Sequence, residues 1–141
     1  MTVYERSIDI AAPPAAVFAV MADVERWHEW TASIRGVRLF GRPLAVGSGA
    51  LIRQPKFPPA WWKVIDLQPD REFTWVSVAP GLRVVVRHAA LDALGGTRAR
   101  LSFTYIGVFG DWLARVTRDI TERYLVMEAE GLKARSESRR I

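Results

Sequence analysis

Leu82-Arg-Val-Val-Val-Arg-His-Ala-Ala-Leu91 and Thr97-Arg-Ala-Arg-Leu-Ser-Phe-Thr-Tyr-Ile106 flank the pair Gly95-Gly96. Both runs alternate with a period of two, so they read as two strands of a hairpin turned at the glycines. In the second run Ala99, Leu101, Phe103 and Tyr105 share one face, and Arg98, Arg100, Ser102 and Thr104 the other. The apolar set belongs inside. In the first run Val84, Val86, His88 and Ala90 oppose Arg83, Val85 and Arg87. The arginines belong in water, which sets His88 inside. A slip of one residue would reverse every one of these assignments.

The same period runs upstream. Residues 34–40, 47–54, 60–67 and 72–78 read as four more strands. Pro55, Pro58 and Pro59, then Pro69-Asp70, then Pro80-Gly81 punctuate them, because proline cannot donate within a sheet and suits a turn. Phe73 and Trp75 are expected inward and Thr74 outward. The phase of Trp61-Trp62-Lys63-Val64-Ile65 is ambiguous. Setting Trp62 and Val64 inward leaves Lys63 in water and Trp61 on the outer face, where a large ring can mark a contact surface. These six successive strands make an antiparallel meander.

Residues 3–10 read as one more strand, with Tyr4, Arg6, Ile8 and Ile10 on its inner face. Pro13-Pro14 opens a helix that continues to Ala22, since proline's fixed φ suits a first turn. Asp23 is read as the N-cap of a second short helix, from Val24 to about Trp30. Trp27 and Trp30 are expected to pack that helix on the sheet edge. At the other end Phe109, Leu113, Val116, Ile120, Tyr124, Met127 and Gly131 recur at helical spacing. They predict one long amphipathic helix whose face Trp112 widens. Asp119 and Arg123 are spaced as an i,i+4 ion pair on it. The expected class is α+β: a seven-stranded curved antiparallel sheet around a long C-terminal helix, with two short helices after the first strand.

The chain has 141 residues, half of them apolar and a quarter charged. That suits one domain, read as 1–135, followed by a polar tail, 136–141, that frays. Without cysteine there is no disulfide scaffold, thiolate zinc site or cysteine nucleophile. No apolar run reaches about 18 residues, so no stable membrane insertion is expected. The start, Met1-Thr2-Val3-Tyr4-Glu5-Arg6, lacks the apolar core of a signal peptide, so a cytoplasmic protein is expected. The net charge is +5, almost all from arginine, but the cations are scattered and only Arg139-Arg140 is a doublet. Nucleic acid is therefore not an expected partner. A monomer or a homodimer is expected.

Four strings carry a family resemblance: Ile8-Asp-Ile-Ala-Ala-Pro-Pro-Ala-Ala-Val-Phe18, Asp23-Val-Glu-Arg-Trp-His-Glu-Trp30, Glu72-Phe-Thr-Trp75 and Gly95-Gly-Thr-Arg98. With the order of elements, they resemble the START-like (SRPBCC) superfamily and its helix-grip fold. Within it the chain is similar to the polyketide cyclase/dehydrase and lipid-transport-like family. The resemblance implies a deep cavity between sheet and last helix that holds a hydrophobic small molecule.

Alternation then nominates the lining: Trp62, Val64, Phe73, Trp75, Val86, His88, Phe103 and Tyr105 from the sheet, and Trp112, Val116 and Ile120 from the helix. Arg6, His88 and Tyr105 are the polar members. Each has a structural and a chemical reading. His88 is either a core histidine bonded to its neighbours or a donor or acid/base group facing a ligand carbonyl. Tyr105 either packs or touches ligand, and Arg6 either snorkels to the edge or binds an anion. His28 and His88 lack metal-ligand spacing, and no cofactor is expected. No paired carboxylates fall on an inward face in this register.

Three functions remain. The first is binding of a lipid, isoprenoid or polyketide-like molecule. The second is a polyketide cyclase or dehydratase, in which the pocket folds a poly-carbonyl chain. The third is a protein-interaction module using Pro55–Trp62 or the outer sheet face.

Overall fold

The computed structural model describes residues 1–138. The alternating runs form seven strands: β1 Thr2–Ile10, β2 Gly36–Phe40, β3 Gly49–Arg53, β4 Ala60–Gln68, β5 Glu72–Ala79, β6 Leu82–Ala93 and β7 Gly96–Ile106. All pair antiparallel in the order β1-β7-β6-β5-β4-β3-β2, so the first strand closes onto the last. The hairpin that set the phase has the expected register, with His88 opposite Leu101 and Val86 opposite Phe103. Val84, Val86, His88, Ala90, Ala99, Leu101 and Tyr105 are buried, as the alternation required. Trp62 and Val64 are buried and Trp61 is half exposed, which resolves the ambiguous phase. Trp61 nevertheless has a packing role. Its ring covers Gly49, where a Cβ would lie 2.1 Å from it, and lies 5.4 Å from the Phe40 ring, tilted at 47°. A ring so occupied is a weaker contact surface than an open one.

α1 spans Pro14–Ala22, with Pro13 in the capping position, and a 3₁₀ helix follows at Val24–Glu29. Asp23 precedes the latter, but its carboxylate makes no cap hydrogen bond and reaches Arg26 instead, at 3.6 Å. Trp27 also departs from expectation. It is buried under the middle of the sheet, with its ring 5.3 Å from those of both Trp75 and His88. The partly buried Trp30 stays beside it at 5.9 Å.

The last segment is two helices, not one: α2 Val108–Val116 and α3 Arg118–Ser138. They break at Thr117, whose hydroxyl donates to the Leu113 carbonyl at 2.6 Å. Each helix buries a face offset from the predicted stripe. α2 turns small residues, Gly110 and Ala114, to the fold, while Trp112 and Val116 are over half exposed. Gly110 lets α2 lie close to β7: a Cβ there would lie 3.1 Å from the Tyr105 backbone, a tight approach. α3 buries Thr121, Tyr124, Leu125, Glu128, Ala129, Leu132 and Ser136. Ile120 is half-buried. The i,i+4 ion pair expected between Asp119 and Arg123 forms one residue earlier, between Arg118 and Glu122.

The C-terminal turns of α3 are held to β1. Lys133 donates to the Asp9 carbonyl at 3.0 Å, and the Ala11 N–H donates to Glu137 at 2.9 Å. Residues 136–138, expected in a fraying tail, are therefore helical, and Ser136 is buried. Arg139–Ile141 lie outside the described residues. Midway along α3, Gly131 permits close approach: a Cβ there would lie 2.0 Å from the Trp30 carbonyl oxygen. Alanine in place of a helical glycine ordinarily stabilises. Gly131→Ala is instead expected to destabilise by about 1–3 kcal/mol, since rigid backbone must move. Urea unfolding checks it; a gain in stability would show that α3 shifts freely.

Candidate functional site

The interior between sheet and α3 is walled by aromatic rings. They come from several elements. Trp62 comes from β4, Phe73 and Trp75 from β5, Phe103 from β7 and Trp27 from the 3₁₀ helix. They leave a cavity of ≈ 20 Å³, room for about one water molecule. Trp27, Trp62, Trp75, Val86, His88, Phe103, Gln54 and Glu128 line it, with Ile34 and Ile52. The deep cavity implied by the resemblance is thus largely filled by the protein's own side chains.

Two titratable groups meet there. His88 is 4% exposed. Its ring stacks on Phe73 at 4.3 Å and meets Trp75 edge-on at 5.5 Å. Burial pushes its pKa down to about 3, against a smaller opposing effect from a hydrogen bond with the Phe73 backbone. His88 is neutral at any physiological pH, and its Nδ1 is buried with no hydrogen-bond partner among the described residues.

Glu128 faces it from α3 and is 6% exposed. Burial pushes its carboxyl up to about 7, while the Ser33 hydroxyl, donating to Oε2 at 3.2 Å, acts weakly the other way. Ser33 is itself held by the Thr31 hydroxyl at 2.7 Å, and Gln54 donates to the Ser33 carbonyl at 3.3 Å. A short hydrogen-bonded chain, Gln54-Ser33-Glu128, therefore reaches the cavity at its two ends, Gln54 and Glu128. Near neutral pH the carboxyl can donate as an acid or accept as a base. No group of three or more His, Cys, Asp or Glu suited to a metal ion exists among the described residues.

The other nominated residues distribute differently. Trp62, Trp75, Val86, His88 and Phe103 line the cavity. Val64 and Phe73 are buried in the surrounding core. Tyr105 is buried but apart from His88. It lies four residues along β7 from His88's partner Leu101, or about 13 Å at strand rise. Its hydroxyl lies 3.4 Å from that of Thr121, and its ring meets Tyr4 edge-on at 5.9 Å. Burial raises its pKa, so it stays protonated. Arg6 does not enter the interior. It is exposed on the rim of an open groove of ≈ 580 Å³ between β1 and α3. β1 is an edge strand, and Arg6 takes the solvent its edge offers. Trp112, Val116 and Ile120 are not part of the cavity wall: Trp112 and Val116 lie on the exposed side of α2, and the half-buried Ile120 is not among the residues α3 buries.

Glu128 is absent from the lining nominated by sequence, as are Trp27, Gln54, Ile34 and Ile52. Periodicity anchored on Tyr124, Met127 and Gly131 counts apolar residues alone, so it passes over Glu128, although Glu128 stands four residues from Tyr124 and three from Gly131 on that face. Leu125 and Leu132, seven apart and buried, were the available signal. They bracket Glu128 on one face.

A family model described as polyketide cyclase / dehydrase and lipid transport matches residues 1–137. The chain belongs to that family. Its fold recurs in solved structures at low identity, where the likeness shows the fold alone. The protein TTHA0849 from Thermus thermophilus is 16% identical, with a TM-score of 0.81 over 99% of this chain and 100% of that one. Zhui aromatase/cyclase from Streptomyces sp. R1128 is 19% identical, with a TM-score of 0.74 over 98% and 94% of the two chains. Norcoclaurine synthase from Thalictrum flavum is 12% identical, with a TM-score of 0.78 over 99% and 96%. No curated protein matches the sequence. In this member of the polyketide cyclase/dehydrase family, His88 and Glu128 are enclosed between the sheet and α3.

Proposed function

We propose that this protein binds one hydrophobic small molecule, of lipid, isoprenoid or polyketide-like kind, between the sheet and α3. The observation that carries the proposal is that His88 and Glu128 line one cavity whose other walls, Gln54 apart, are aromatic and aliphatic side chains. Rings supply apolar contact area, and the two buried polar groups fix orientation, which is how small-molecule sites are built. Admission of a ligand requires rings to move. Phe103 is only half-buried, and the loop after β3 is tied to α3 by the Tyr124 hydroxyl donating to the Pro55 carbonyl at 2.5 Å. Those two points are the natural door.

A second reading, cyclase or dehydratase, is favoured by Glu128 specifically. A carboxyl near 7 is matched to proton transfer at neutral pH. His88 contributes less to that reading than its residue type suggests, because an imidazole near 3 is a weak base. It is better suited to a neutral hydrogen bond.

Titration with the neutral dye N-phenylnaphthylamine tests the site. His88→Ala is expected to weaken binding by roughly tenfold, the worth of about one hydrogen bond plus ring contact. Arg87→Ala, on the outer face and paired with Glu72, is expected to leave it unchanged. Equal effects from the two variants would overturn the inward site.

A further inference from the structure

Val108-Phe-Gly-Asp-Trp-Leu-Ala-Arg-Val116 packs by its smallest residues and leaves its largest in water. Val108, Phe109, Trp112 and Val116 are 85%, 57%, 54% and 58% exposed. Phe109, Trp112 and Val116 are three and four apart, so they form one stripe on the solvent side of α2. The stripe does not stand alone. The Phe109 N–H donates to the Gly81 carbonyl at 2.9 Å, which brings the β5–β6 turn alongside with its exposed Val78. The N-terminal amine sits 3.2 Å from Asp111, which brings exposed Met1 to the same end. Six large apolar side chains thus share one end of the molecule, more than scattered surface residues account for.

The rim of this patch is cationic. Arg83 and Arg115 are exposed, and neither forms an ion pair among the described residues. Asp111 pairs with the N-terminal amine at 3.2 Å and accepts a hydrogen bond from the Thr2 hydroxyl at 2.6 Å. Asp119 lies beyond the patch at the start of α3, and the chain as a whole carries +5. We propose that this end is a peripheral docking surface for an anionic lipid bilayer, with the Phe109–Trp112–Val116 stripe seated in the headgroup layer. Tryptophan and phenylalanine favour that boundary, and arginines beside them meet anionic headgroups. A second copy is a poorer occupant, since a two-fold contact through this end would bring the unpaired arginines of both copies together. α2 has 9 residues, so it lies on a bilayer and does not cross it.

Co-sedimentation with vesicles tests this, using phosphatidylcholine with and without phosphatidylglycerol. The protein is expected to bind the mixed vesicles, with a blue shift of tryptophan emission, and to leave pure phosphatidylcholine. Raised salt weakens the binding. Trp112→Ser and Phe109→Ser are each expected to weaken it by about tenfold. Leu94→Ser, at the exposed β6–β7 turn at the opposite end of those strands, leaves it unchanged. Absence of binding to the mixed vesicles would overturn the proposal, as would equal loss with Leu94→Ser. So would a wild-type dimer in size exclusion that Trp112→Ser dissolves, which would assign the patch to self-association.

Discussion

Trp75→Ala is expected to lower stability by about 3–5 kcal/mol, the range for a buried aromatic truncated in a rigid core. Trp75 is 2% exposed and meets Trp27 at 5.3 Å, Trp62 at 6.0 Å, Phe73 at 5.2 Å and His88 at 5.5 Å. These rings hold one another from several elements, so they cannot close fully over the gap. The lost volume joins the ≈ 20 Å³ cavity and enlarges it. A thermal melt should therefore fall by about 10 °C or more. Added indole, of the shape removed, should restore part of that loss in Trp75→Ala and stabilise the variant more than the wild type. A loss below about 1 kcal/mol would mean that the cluster repacks, and that Trp75 does not organise the site.

Glu128→Gln is expected to raise stability at alkaline pH and to do little in acid. Folded Glu128 holds its proton up to about 7, whereas the ordinary carboxyl value is 4.5. With the folded value above the unfolded one, stability from this group is full below pH 4.5 and is lost as pH rises to about 7. The loss is about 3 kcal/mol, reached above neutrality. Glutamine keeps the acceptor for Ser33 and removes the titration. At pH 8 the variant should be the more stable by up to that amount, and near pH 4.5 the two should coincide. His88 has the opposite sign. Its folded pKa of about 3 lies below 6.5, so its contribution is present above 6.5 and lost as pH falls toward 3. The two slopes oppose each other between 4.5 and 6.5, which is why the variant, and not the wild type, exposes the effect of Glu128. Equal stability of variant and wild type at pH 8 would show that the carboxyl is solvated.

The sheet was legible because arginine alternates with apolar residues in β6 and β7, and one charged residue per pair suffices to assign the inner face. That reasoning placed His88 correctly and extended to Phe73, Trp75, Trp62 and Val64. It failed where an element's buried side is small or polar. α2 buries Gly110 and Ala114 and exposes Trp112, so a hydrophobic stripe pointed the wrong way. α3 buries Glu128, which periodicity of apolar residues passes over. Arg6 kept the right strand phase, but an edge strand offers its side chain an exit to water. Trp27 reached the centre of the interior through the geometry of the 3₁₀ helix, which no local pattern encodes. The polar half of the candidate site therefore came from packing between distant segments, residues 31–33 against α3, and not from any motif.

The central claim is that the space enclosed by the aromatic rings beside His88 and Glu128 admits a small molecule. The most direct measurement follows the indole N–H resonances of the six tryptophans during titration with N-phenylnaphthylamine. Trp27, Trp62 and Trp75 should shift together and saturate, while Trp61 on the outer face should stay in place. Shifts confined to Trp61 and Trp112, or no shift in the three interior indoles at dye saturation, would contradict the account.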